Sequence, residues 1–140
     1  MLLVDAANVV GSRPDGWWRD RAGATSRLLR RLAALTGREL PAPGGGPVAV
    51  DEVVAVVEGA ARGVDAPDGV TLVRAEGSGD DALAATAARL AAEGRSLLVV
   101  TADRGLRARL PDGVPATGPG WLHRLLPAEP GEGSTGGSLA

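Results

Sequence analysis

The chain has 140 residues, about the length of one domain and enough for a sizeable core, with 44% hydrophobic and 23% charged residues, an ordinary globular balance. It contains no Cys, which excludes a disulfide framework, thiolate metal sites and a thiol nucleophile. The formal net charge of −2 argues against indiscriminate nucleic-acid binding. All 15 basic residues are nevertheless Arg, and many crowd the first third of the chain.

Leu2 to Asp5 reads as a short buried strand entered directly from the amino terminus, so no signal peptide is expected and cytoplasmic residence is the default. No apolar stretch approaches membrane-spanning length. A loop containing Gly11, Pro14 and Gly16 follows, and the apolar spacing from Trp18 through Leu35 predicts a helix over Trp17–Thr36, stopped by Gly37. Pro41 to Pro47, with its internal glycines, reads as a loop. Val53 to Val57 reads as a second strand, with a helix over Val48–Ala61 as the alternative. Gly63 to Gly69 is a turn-rich connection, and Val70 to Val73 a third strand.

Asp80 to Glu93, rich in Ala and Leu and closed by Gly94, predicts a helix. Ser96 to Thr101 holds the clearest buried strand, Leu97-Leu98-Val99-Val100. A short helix is predicted over Arg104–Leu110, a last strand near Val114–Thr117 and a helical turn over Trp121–Leu126. Residues 127–140, mostly Pro, Gly, Ser and Glu, read as a disordered tail behind a folded unit of residues 1–126. Alternating strands and helices predict an α/β fold, a three-layer α/β/α sandwich with a mainly parallel central sheet of Rossmann-like kind. Right-handed crossovers would bring the carboxyl ends of the strands to one edge.

Acidic residues sit where those ends are expected: Asp5 after the first strand, Asp80 and Asp81 opening the helix after the third, and Asp103 after the strongest. Each has a structural reading as well. Asp5 and Asn8 suit a turn, Ser78 with Asp81 has capping-box spacing, and Thr101 or Asp103 suits an N-cap. Together they form a set of hard oxygen donors that suits Mg²⁺ or Mn²⁺ far better than zinc. Asp80 and Asp81 point about 100° apart on a helix, so one of them is expected to reach such a centre. Glu58 reads either as a further ligand or, by slight preference, as a solvated turn residue. His123, the only His, reads as a surface or packing residue. Trp17 and Trp18 suit either base stacking or anchoring of the first long helix. There is no Gly-x-Ser-x-Gly, and neither a phosphate loop nor a dinucleotide Gly-x-Gly-x-x-Gly follows the first strand.

Three segments carry a family resemblance. Leu3-Val4-Asp5-Ala6-Ala7-Asn8-Val9-Val10, Gly77-Ser78-Gly79-Asp80-Asp81-Ala82 and Val99-Val100-Thr101-Ala102-Asp103-Arg104-Gly105-Leu106 resemble, in order, the motifs of NYN domains. These form the YacP-like branch of the PIN-like nuclease superfamily, and the resemblance runs from about Leu2 to Leu126. Ala6 stands where Gly is common in the family. The resemblance implies a Mg²⁺- or Mn²⁺-dependent ribonuclease in which Asp5, Asp80 or Asp81, and Asp103 hold the metal. Asn8, Thr101 and Ser78 would support them, while Arg13, Arg19 and Arg104 are candidate contacts to RNA phosphates. RNA is the implied partner, and a homodimer or attachment to a ribosome or RNA-processing partner stays open. The alternatives are a catalytically weak RNA-binding or regulatory module on the same fold and a metal-dependent phosphatase or nucleotide hydrolase.

Overall fold

The computed structural model describes residues 1–128. Five strands form one all-parallel sheet: β1 (Leu2–Asp5), β4 (Val53–Val57), β5 (Val70–Arg74), β6 (Leu98–Val100) and β7 (Ala116–Thr117). Their spatial order is β5-β4-β1-β6-β7, which puts the first strand at the centre. β1, β4 and β6 are buried at every position, as unbroken apolar runs in a doubly covered parallel sheet must be.

Alternate residues of these strands feed two separate cores. Leu2, Val4, Val53, Ala55, Val57, Leu98 and Val100 face α1 (Ala6–Gly11), α2 (Arg21–Ala33) and α5 (Pro119–Leu125). Leu3, Val54, Val56 and Val99 face α3 (Gly79–Ala92), through Leu83, Ala87 and Leu90, and α4 (Arg104–Ala108), through Leu106. The architecture is therefore a three-layer α/β/α fold.

Several expectations are corrected. The segment after β1 is no simple loop, because Asp5 caps α1 directly, its side chain accepting from the Asn8 N–H. The long helix expected over Trp17–Thr36 is a 3-10 turn at Trp17–Arg19 followed by α2. Asp20 separates the two by accepting the Gly23 N–H at 2.9 Å as the N-cap of α2. Pro41 to Pro47 forms the tip of an antiparallel hairpin, β2 (Glu39–Pro41) with β3 (Pro47–Ala49), outside the main sheet. The Trp121 indole N–H ties that hairpin to α5 by donating to the Pro41 carbonyl at 3.0 Å. Val53–Val57 is a strand, which rules out the helix over Val48–Ala61.

Among the described residues no helix is long and apolar enough to cross a membrane. Near the end of the described residues, the Pro127 carbonyl accepts from Arg31 Nε at 2.7 Å. The rest of the expected tail, residues 129–140, lies outside the described residues.

Candidate active site

β1 connects toward β4 on one side, while β6 lies on its other side, so the carboxyl ends of β1 and β6 flank the point where the winding reverses. Open α/β sheets form a crevice at that point. Asp5 stands at its centre, only 8% exposed. Its Oδ2 accepts the Thr101 hydroxyl at 3.0 Å and its Oδ1 the Asn8 N–H at 3.3 Å. Burial pushes the Asp5 pKa above its ordinary value. The bonds from Asn8 and Thr101 oppose that rise, and the negative charges of Asp80 and Glu58 add to it.

Thr101 organises the opposite wall. Fully buried, it donates to Asp5, while its Oγ1 accepts the Asp103 N–H at 3.2 Å. Its carbonyl accepts from Arg107 Nε at 2.9 Å and from a terminal nitrogen of the same guanidinium at 2.7 Å. Arg107 thus clamps the end of β6, a role the sequence did not reveal because an Arg inside a short exposed helix resembles any solvated cation. Asn8 ties α1 to the loop after β6, its Oδ1 accepting the Ala102 N–H at 2.8 Å.

The other acidic residues divide. Asp80, half-buried in the first turn of α3, is brought into electrostatic reach of Asp5. Asp81 is not: it lies on the surface, paired with Arg109 at 2.8 Å. Ser78 caps α3 by accepting the Asp81 N–H at 3.2 Å, as its capping-box spacing suggests. Asp103 caps α4, its Oδ1 accepting the Leu106 N–H at 2.9 Å.

Glu58 is not the solvated turn residue preferred from the sequence. Half-buried beyond β4, it accepts the Gly79 N–H at the start of α3, next to Asp80. A Cβ on Gly79 would collide with that carboxylate, which explains glycine at this position. Strand periodicity accounts for the convergence. Asp5 continues the face of Leu3, Glu58 that of Val54 and Val56, and Thr101 that of Val99, all toward α3 and α4.

Among the described residues no group of three or more His, Asp or Glu side chains forms a ready metal cluster. The donor chemistry still fits a hard cation. Asp80 and Glu58 lie within electrostatic reach of Asp5, and the repulsion they add to the effect of burial is what a divalent cation would relieve.

The candidate phosphate contacts are dispersed. Arg104 is exposed at the start of α4, Arg19 lies with its guanidinium 5.9 Å from the Trp18 ring centroid, and Arg13 lines a hollow beside His123. Trp17 packs against the core and Trp18 is 54% exposed, which divides anchoring from exposure between them. A cavity of about 380 Å³ leads from Glu58 to Trp17 and Arg21. His123 packs against α1, its Nε2 2.9 Å from Ser12 Oγ.

No family model matches the chain, and no curated protein matches it by sequence. Among solved structures it is similar to Rae1 (YacP) from Bacillus subtilis, with a TM-score of 0.62 and 19% identity, over 88% of this chain and 72% of that one. The fold is YacP-like.

Proposed function

We propose that the chain is a metal-dependent ribonuclease of the NYN kind, hydrolysing RNA phosphodiester bonds at the crevice between β1 and β6. The observation that carries this reading is Asp5: a buried carboxylate at the topological switch point whose pKa is driven up by burial, with two acidic neighbours adding to the rise. A charge held at such a site is costly unless a cation or substrate offsets it. The likeness to Rae1 (YacP) supports the same branch that the three sequence motifs suggest, and it does so by fold rather than by motif.

In this reading Asp5 and Asp80 hold Mg²⁺ or Mn²⁺, with Glu58 and Asp103 as further oxygen donors. Such a cation, when bound, supplies a water nucleophile at neutral pH and charge stabilisation on the phosphate oxygens. The Thr101 hydroxyl fixes one oxygen of Asp5, and Arg107 fixes Thr101. Asn8 holds the loop after β6 against α1, which keeps both walls of the crevice in register. Arg104, exposed beside Asp103, would take a phosphate flanking the scissile one. Asp81, turned to Arg109, has no part in the reaction.

A second reading, an RNA-binding module with little or no catalysis, has one observation in its favour. The carboxylates are not preassembled as a ligand cluster, and Glu58 and Asp103 are engaged as caps. Cleavage of single-stranded and structured RNA, with Mn²⁺, with Mg²⁺ and with EDTA, separates the two readings. Wild type is expected to cut with either metal and to stop in EDTA, while Asp5→Asn and Asp80→Asn are expected to be inactive though folded. RNA binding without any metal-dependent cleavage would establish the second reading.

A further inference from the structure

On the face of the sheet away from the α3 layer, α1, α2 and α5 enclose a hollow of about 130 Å³. Arg13, Arg27, Arg31 and His123 line it, with Asp15 as the acidic member of the lining. Arg31 is held in place through its Nε bond to the Pro127 carbonyl. Three guanidinium groups against one carboxylate make this a cationic recess, and its volume, several times the roughly 30 Å³ of a liquid water, admits a tetrahedral anion. None of the carboxylates of the candidate active site lines it.

The hydrogen bonds of His123 fix its ring at the edge of this recess. The Ser12 hydroxyl gives its single proton to the Val9 carbonyl at 2.6 Å. Nε2 of His123, 2.9 Å from the same oxygen and 3.3 Å from the Val9 carbonyl, must then be the donor. In the neutral ring Nδ1 is therefore a bare acceptor, and it is buried without a partner. Buried polar atoms in native proteins nearly always have one. An anion in the recess that His123 lines would favour a proton on the ring by offsetting the charges of Arg13 and Arg31.

We propose that Arg13, Arg27, Arg31 and His123 form a phosphate-binding cradle, separate from the carboxylate site, in which the phosphate is taken up together with a proton on His123. The phosphate group can be an internal phosphate of an RNA strand or a free phosphate. Burial, together with the charges of Arg13 and Arg31, holds the His123 pKa below its ordinary value, against the opposing Val9 carbonyl and Asp15. A bound phosphate neutralises those guanidinium charges, so the pKa rises on binding. Linkage fixes the sign: affinity is highest below the pKa of the free form and falls as pH rises from there through the pKa of the bound form. The cradle stands whether or not the carboxylate site cuts.

The chain has one His, so its ring proton signals report this site without ambiguity. The experiment is an NMR pH titration of His123 in chloride alone, with inorganic phosphate, and with a short oligonucleotide lacking terminal phosphates, all at equal ionic strength. An upward move of the His123 titration with phosphate, the oligonucleotide or both is expected, and the probe that produces it identifies the source. Arg27→Ala, a change at an exposed position, should weaken binding about tenfold and reduce the shift. His123→Gln should keep binding and lose its pH dependence. No movement with either probe, or an Arg27→Ala response equal to wild type, overturns the proposal.

Discussion

Gly79→Ala tests the junction on which the candidate site is built. The residue begins α3 with a negative φ that alanine adopts freely, so the backbone raises no objection. The obstacle is Glu58, since a Cβ at this position would lie 2.7 Å from its carboxyl carbon and 3.4 Å from its Cγ. The side chain must therefore leave, and the bond from the Gly79 N–H to the carboxylate goes with it. A hydrogen bond to a charged group contributes about 1.5–3 kcal/mol, while Gly→Ala in a helix returns at most about 1 kcal/mol. The net expectation is a loss of about 1–2 kcal/mol, or a melting temperature lower by roughly 3–8 °C. In a Glu58→Ala background the clash is gone and only the propensity gain remains, so the same substitution should be neutral or stabilising. Chemical denaturation of the four proteins of this double-mutant cycle measures the coupling, expected near 2 kcal/mol. An equal loss from Gly79→Ala in both backgrounds would refute the account.

Three further outcomes are expected. The raised folded-state pKa of Asp5 means that the folded protein keeps a proton the unfolded chain releases. Its contribution to stability therefore falls as pH rises from the unfolded value of 3.8 through the folded one, and Asp5 is a standing destabilising charge above both. Asp5→Asn should accordingly be at least as stable as wild type at neutral pH and lose that advantage in acid, and urea melts across pH that show the opposite slope would contradict it. Asp81→Asn breaks only an exposed pair with Arg109 and should change stability by less than about 0.5 kcal/mol while leaving RNA cleavage intact. Asp80→Asn should abolish cleavage, and equal activity in the two variants would remove Asp80 from the site. Finally, Mg²⁺ or Mn²⁺ at about a hundred times its dissociation constant should stabilise the wild type by about 2.7 kcal/mol and shift Asp5→Asn far less, as read by thermal unfolding.

What the sequence disclosed follows from what is local. Leu2-Leu3-Val4 and Leu97 to Val100 are apolar runs that announce buried strands, so Asp5 and Thr101 could be placed at strand ends without a structure. Alternation even contained the geometry of Glu58, two residues beyond Val56 on the same face. It could not show that the amino end of α3 would settle over that face, because α3 arrives by tertiary packing. The opposite error occurred at α1, where Gly11, Pro14 and Gly16 suggested a loop although Asp5 and two alanines begin a helix. The hairpin around Pro41 to Pro47 was hidden for a similar reason, its strands being only three residues long and bounded by proline.

The choice between cap and ligand, left open in the sequence for the aspartates at the strand ends, is not exclusive in the folded chain. Asp5 begins α1, Asp103 begins α4, and Glu58 satisfies the first N–H of α3. An ionised carboxylate has about four acceptor sites, so an oxygen that receives an N–H retains capacity for a cation. Helix starts thereby hold the proposed donors in place before any cation arrives, with no need for the acidic side chains to crowd into a cluster. The two roles separate by substitution. Asparagine at position 5 or 103 keeps a carbonyl oxygen for the cap and removes the charge a cation needs. Alanine removes both, at about 1 kcal/mol for the lost cap. Loss of cleavage in a stable asparagine variant therefore reports on the chemistry, whereas the same loss in the alanine variant reports on the fold as well.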